Sequence, residues 1–571
     1  MHKFHSNSWW LVAASAGVVA AVALSRAAGA QPPTADDEGI EVLTRGPVHE
    51  AFAATVAFDP EEGLVAPRAP PDAIEELPPD QRPAGANVDW IPGYWAWDDE
   101  REDFLWVSGL WRNLPPGREW VAGYWNPSGD GAQWTSGYWA DAASTEREYL
   151  PEPPATAEAG PNIEQPSPDY NWLPGSWTWQ QNRYAWRPGF WAAGQENWDW
   201  VPPYYQWTPR GYVYIDGYYD YPVERRGVLF SPVYFSSNVY GRRGFSYSPS
   251  LAINLAGFTN HLFLRPQYGH YYFGDYYGSN YSMSGYFPWY AYGSSGFGYD
   301  PFYAQQRWQH RRDDGWAQQV ENEYHHRRDH DDARPPRTWS AQEDLLVKGQ
   351  SNDRSLFVAT PYDEMLKSQE TLTRYQPVDQ SERERFGKRG HDVQQFRKQR
   401  QQLEADTAEA RPDRERQPAR VKSPRSPVVA QPADQLDKDQ ALPERHQAPA
   451  PDLQVNPKPR QRRGQPGARG KPESIAPQQN PQCGANRKSQ GKPRDESSTK
   501  PQGTPNQSSP GERKERSANK PQAPSGEATP RSVQGTPGAK PKGGAGDSRK
   551  GAAGNKPEGG SRDNLERNPD E

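Results

Sequence analysis

The chain has 571 residues, of which 60 are Pro and 51 Gly, with 23 Trp and 30 Tyr but only 3 Met and 1 Cys. Only 33% is hydrophobic and the mean hydropathy is −1.07, which excludes one large globular enzyme, a disulfide scaffold and a multi-span helical membrane protein. The formal net charge of −7 hides an acidic stretch at 31–300 (34 acidic, 15 basic) and a basic remainder at 301–571 (39 acidic, 49 basic).

Residues 1–30 read as a signal peptide. Lys3 supplies the positive start and an apolar, small-residue run extends from Trp9 to Leu24. Ala28-Gly29-Ala30 offers the small residues of a cleavage site, ahead of Gln31. Export to the periplasm, the cell surface or the medium follows, with no transmembrane span expected after cleavage. Residues 31–87 are rich in Pro, as in Ala66-Pro67-Arg68-Ala69-Pro70-Pro71. They read as a semi-rigid spacer with one short helix around 50–58.

The folded part is defined by a repeat, Trp-x-x-Gly-x-Trp. Block 1, 88–144, holds Trp90-Ile-Pro-Gly93-Tyr-Trp95, Trp106-Val-Ser-Gly109-Leu-Trp111, Trp120-Val-Ala-Gly123-Tyr-Trp125 and Trp134-Thr-Ser-Gly137-Tyr-Trp139. A Pro-rich linker occupies 145–169. Block 2, 170–225, holds Trp172-Leu-Pro-Gly175-Ser-Trp177 and Trp186-Arg-Pro-Gly189-Phe-Trp191. The degenerate copies Trp200-Val-Pro-Pro203-Tyr-Tyr205 and Tyr214-Ile-Asp-Gly217-Tyr-Tyr219 follow. Most units start 14 residues apart, which fits one strand of about ten residues and a turn of about four. Trp, Tyr, Val, Pro and Gly at this density disfavour helix. The expected fold is all-β, an antiparallel meander of one strand per 14-residue repeat, followed by charged helices and a long disordered tail. Symmetric turns would set Trp191 opposite Trp200 and Tyr205 opposite Tyr214. The central Gly would mark a bulge or kink that returns both Trp of a unit to one face.

These units resemble the WXXGXW (YXWGXW) repeats of exported bacterial proteins, over about a quarter of the chain. The resemblance implies an envelope or secreted protein. It implies no reaction and no catalytic residues.

Residues 226–303 form a Tyr/Gly-rich β region, with strands expected at Val228 to Phe235 and His261 to Arg265, and strand or loop at His270 to Tyr277. Residues 304–410 read as charged helices. One spans about 302–330 and another starts at a capping box, Ser340 with Glu343, and stops at Gly349. A short one opens at Thr360-Pro361 and a charged one covers about 382–409. From 411 to 571 the chain reads as a disordered tail. No Phe, Trp or Tyr occurs in the 175 residues after Phe396, so too little apolar surface is present to offset the entropy of ordering.

Chemistry is sparse. His326 and His330 stand at i and i+4 and form a weak metal candidate within a charged helix end. The run Asp98-Asp99-Glu100-Arg101-Glu102-Asp103 is a Ca²⁺ candidate without the spacing of a known loop, so an exposed turn is the simpler reading. No nucleophile elbow, phosphate loop or dinucleotide fingerprint is present, and Cys483 lies in the tail. The expectation is a protein without catalytic residues or cofactor, acting as a structural or interaction module of the envelope. A carbohydrate-binding module is the alternative, with Trp95, Trp111, Trp125, Trp139, Trp177 and Trp191 as stacking residues. An outer-membrane barrel is a third. A polysaccharide or acidic envelope polymer is the expected partner, the basic tail reaching towards it; export argues against nucleic acid.

Overall fold

A computed structural model describes residues 39–451, apart from 159, 350–352, 369–373, 406–416, 436–440 and 447–449. The expected signal peptide and most of the expected tail, Cys483 included, lie outside the described residues. The described part is strand-rich, and its ladders are antiparallel except for the pairing of Ser246–Tyr247 with Glu75–Glu76. It is not purely all-β: helices at Pro301–Gln309, Trp316–Asp329, Trp339–Lys348, Tyr362–Lys367 and Gln380–Ala405 pack with the strands.

The repeats do not form a meander of one strand each. Every unit makes two short strands interrupted at its third and fourth positions, and units join in twos. In the first hairpin, Val88–Ile91 pairs with Leu110–Asn113 and Tyr94–Asp98 with Asp103–Val107. The second pairs Arg118–Val121 with Tyr138–Asp141 and Tyr124–Ser128 with Gly131–Thr135. The third pairs Tyr170–Leu173 with Phe190–Ala193 and Ser176–Gln180 with Arg183–Arg187. The fourth pairs Asp199–Val201 with Tyr218–Asp220 and Tyr204–Thr208 with Gly211–Ile215. Tyr205 does face Tyr214. Trp191 instead faces Trp172, and Trp200 faces Tyr219, because the turn around Gln195 and Glu196 connects two hairpins rather than closing one.

Residues 39–87 are not a spacer. They run as short strands, each paired with a distant partner: Ile40–Val42 with Val233–Phe235, Gly46–Pro47 with the strand His270–Phe273, and Val56–Ala57 with Gly298–Tyr299. No helix forms at 50–58; Val48, Ala51, Phe52 and Val56 enter the main core instead. Two buried arginines lock this strap. Arg112 donates to Ala51 O at 2.9 Å and, through Nη2, to both carboxylate oxygens of Asp220 at 2.6 Å. Arg226 donates to Phe52 O at 2.9 Å and to Asp199 at 3.0 Å. Proline confines its ladder pairing to short segments and edges, which is why so Pro-rich a segment forms strands of only two or three residues.

The Tyr/Gly-rich region contributes Val233–Phe235, Leu262–Arg265 and His270–Phe273 as strands, the last pairing with Leu262–Arg265. The stretch expected as one helix over 302–330 is two, broken between Gln309 and Trp316. The next helix is capped by Thr338, not Ser340, and ends at Gly349 in the left-handed region with φ 57°. The packed chain also passes the expected tail boundary at 411. Ala419–Lys422 pairs with Glu146–Leu150, and Val428 and Ala430 are buried against the second hairpin, with Trp120 N donating to Val428 O at 2.9 Å. Backbone pairing and two small aliphatic side chains do there what aromatics do elsewhere.

Candidate functional site

Each hairpin brings the first residue of one unit against the last residue of its partner. Ring centroids lie 5.1 Å apart for Trp90 and Trp111, 5.3 Å for Trp95 and Trp106, and 5.1 Å for Trp120 and Trp139. Trp125 with Trp134, Trp172 with Trp191 and Trp177 with Trp186 repeat the contact at 5.2, 5.4 and 5.1 Å. Four of these pairs are edge-to-face and the two of the second hairpin are tilted; aromatic pairs at such distances contribute about 0.5–1.5 kcal/mol beyond their burial.

The glycine of the motif is set by space. A Cβ on Gly109 would stand 2.5 Å from Trp90 Cζ2, and one on Gly123, Gly137 or Gly189 would stand 2.5 Å from the same atom of Trp134, Trp120 or Trp172. The first indole of each unit therefore lies across the glycine of its partner. Proline is tolerated at the third position (Pro92, Pro174, Pro188) because no ladder bond is made there.

Interrupting a strand frees an N–H and a C=O that must find partners once buried. Five of the glycine N–H groups are taken by carboxylates from outside the hairpin. Glu76 accepts from Gly93 N at 2.7 Å, Gly109 N at 2.9 Å and Trp106 Nε1 at 3.1 Å. Glu50 accepts from Gly137 N and Trp134 Nε1, both at 2.9 Å. Glu158 accepts from Gly175 N at 2.7 Å and Gly189 N at 3.1 Å. Burial pushes the Glu76 carboxyl up to about 7, against the opposing pull of its three donors. The fourth hairpin has Pro203 in place of one glycine and so lacks that N–H. Its Gly217 N bonds the adjacent Asp216 side chain at 3.0 Å instead.

The freed carbonyls are taken by the long helix Gln380–Ala405, which buries Phe386, Val393, Phe396, Arg397, Arg400 and Glu404 on one face. Arg400 donates to Ala122 O at 2.9 Å and Ser136 O at 3.1 Å, and pairs with Glu404 at 2.9 Å. Glu404 in turn accepts from Tyr124 OH at 2.8 Å and Tyr149 OH at 3.2 Å. Arg397 reaches only Gly93 O, at 3.4 and 3.5 Å. Between this helix, the first two hairpins and the Pro70-Pro71 turn lies a cleft of about 170 Å³, walled by Tyr94, Trp95, Trp106, Tyr124, Trp125 and Trp134 and edged by Gln394, Arg397, Lys398 and Gln401.

Of the six candidate stacking residues, Trp95, Trp111, Trp139 and Trp177 are buried, Trp95 in the wall of this cleft; Trp125 and Trp191 are half-buried. The Trp125 indole N–H donates to Trp95 O and that of Trp191 to Ile163 O. His326 and His330 bring their rings to 4.7 Å, but among the described residues no group of three or more His, Cys, Asp or Glu converges to hold a metal. The acidic turn is an arginine hub rather than a cation loop. Asp99 pairs with Arg265, Glu100 with Arg45 and Arg337, and Asp103 with Arg68. Glu50, Glu76, Glu158, Arg397 and Arg400 were not singled out from the sequence. Their only signal is the demand of the interrupted strands for partners, and it names no residue.

Paired Trp-x-x-Gly-x-Trp units that trap glycines under indoles define a class, a repeat β protein built from aromatic hairpins. A family model described as WXXGXW repeat (2 copies) matches residues 90–112, 168–192, 184–202 and 210–223, so the chain carries the repeats of that family across residues 90–223. Neither a curated protein nor a solved structure matches the chain. Among the described residues no helix is long and apolar enough to cross a membrane.

Proposed function

We propose that this chain is a non-catalytic exported protein of the cell envelope, its repeat domain serving as a structural and interaction module. The observation that supports this most is where the repeat chemistry is spent. The indoles pair with one another, the carboxylates Glu50, Glu76 and Glu158 hold glycine amides, and Arg400 holds carbonyls. Most conspicuous groups of the repeats thus have a fold-building partner. The barrel reading is weaker, since a membrane barrel is one closed sheet of eight or more strands. The described residues form thirteen separate sheets, none with more than four strands.

Fractionation of cells with N-terminal sequencing tests the proposal. The mature chain is expected outside the cytoplasm, starting at Gln31. A cytoplasmic chain that keeps Lys3 and the apolar run would overturn it.

A further inference from the structure

We infer that the cleft between the first two hairpins binds a carboxylate-bearing sugar residue, a hexuronate within an acidic polysaccharide. Size is the first argument. The cleft's volume of about 170 Å³ is comparable with the roughly 150 Å³ that accepts a single benzene-sized ring. Its lining supplies the half-buried Trp125 together with Pro70 and Pro71, flat apolar surfaces on which a pyranose ring stacks.

Charge is the second argument, and it separates this cleft from a plain aromatic gap. The buried arginines Arg112, Arg226 and Arg400 each meet a carboxylate, whereas Arg118, away from the cleft, donates to Gly217 O at 3.0 Å. Arg397 is only 7% exposed, yet among the described residues it forms no ion pair and its Nε has no hydrogen-bond partner. The nearby carboxylates of Glu50 and Glu76 are turned to glycine amides instead. Burial lowers the Arg397 pKa to about 10, the mark of an under-compensated cation. A buried charge left this way is costly. A ligand carboxylate meeting the guanidinium would relieve it with charge-assisted hydrogen bonds. Lys398 stands exposed at the rim, and Gln394 and Gln401 add amides suited to sugar hydroxyls. Gln401 already donates to Trp125 O at 3.1 Å, which fixes its place at the opening.

This site goes beyond a scaffold role, and its test on purified protein is independent of where the chain resides. The full mature chain is titrated with trigalacturonate by calorimetry and tryptophan fluorescence, with neutral maltotriose and a glutamate trimer as comparators. Saturable binding is expected for trigalacturonate, at least tenfold tighter than for either comparator. Lys398→Glu, at an exposed position, is expected to weaken it at least tenfold with unchanged thermal unfolding. Arg397→Met is expected to abolish it; should that variant unfold, Lys398→Glu and Trp125→Leu decide. No saturable binding of trigalacturonate, equal affinity for the glutamate trimer, or full affinity in folded Lys398→Glu and Trp125→Leu would overturn the inference.

Discussion

Glu50 illustrates how much one side chain holds at the residue scale. Its carboxylate is the acceptor for Gly137 N and Trp134 Nε1. Leaving a buried donor unpaired costs about 1–3 kcal/mol, so Glu50→Ala is expected to lose about 3 kcal/mol or more in chemical denaturation. Glu50→Gln, which keeps one acceptor oxygen, is expected to lose about half of that. Gly109→Ala acts through space, since the new methyl would meet Trp90 at 2.5 Å and Ile91 O at 2.7 Å. Overpacking of this kind costs about 1–3 kcal/mol, read as a lower denaturant midpoint.

Buried titratable groups set a pH profile. Burial lowers His49 and His261 to about 3 and raises Glu76 and Asp300 to about 7 and Asp199 to about 8. From pH 8 down to about 6.5 the folded state takes up protons at the carboxylates that the unfolded chain does not, so stability rises. Below 6.5 the unfolded chain begins to protonate both histidines, and the two effects oppose each other. Below about pH 4 the carboxylates are protonated in both states while the folded histidines remain neutral, so stability falls, by about 1.4 kcal/mol per pH unit for each net proton. A urea midpoint series from pH 3 to 8 is expected to rise, level and then drop as pH falls. A midpoint that climbs steadily from pH 4 to pH 8 would contradict these assignments.

Elements follow from the accounting of polar groups. Each repeat gives up ladder bonds at its centre, and in the first two hairpins carboxylates and arginines from elsewhere in the chain replace them. The helix Gln380–Ala405 has little apolar surface, yet it is long and regular because Arg400 and Glu404 have fixed partners in the second hairpin and Arg389 pairs with Asp89 in the first. Breaking one half of a buried ion pair costs about 3–5 kcal/mol. Arg400→Met is therefore expected to lose that much, and the double variant Arg400→Met with Glu404→Gln less than the sum of the singles. A double-mutant cycle by denaturant unfolding reads the coupling; additive losses would show that the pair does not act as a unit.

For the whole molecule, the strap at 39–87 and the segment around Val428 tie the hairpins to the later helices. Limited proteolysis is expected to leave a resistant product from about residue 39 to about residue 446, not one that ends near Tyr303 or Phe396. A chain truncated after residue 416 loses the strand Ala419–Lys422 and the buried Val428, and is expected to melt several degrees lower. Equal melting of the two chains would show that the segment adds nothing to the core.

The sequence by itself determined the repeat and its strand character, the pairing of Tyr205 with Tyr214, the long charged helix and the stop at Gly349, because each is written in local residue types and short spacings. The meander expected from the spacing paired every unit with the next and so set Trp191 against Trp200 wrongly, since a 14-residue step suits a turn on either side of every unit. Tertiary structure made that choice, placing some connections within hairpins and others between them. It also turned a Pro-rich spacer into a core strap and buried four of six candidate stacking tryptophans. The carboxylate partners Glu50, Glu76 and Glu158 lie 17 to 87 residues from their glycine amides in the chain, and no local pattern marks a lone Glu as an internal acceptor. Periodicity therefore revealed the repeat and its strands, whereas the two-unit hairpins and the cleft with Arg397, which meets no carboxylate among the described residues, exist only where separate segments meet.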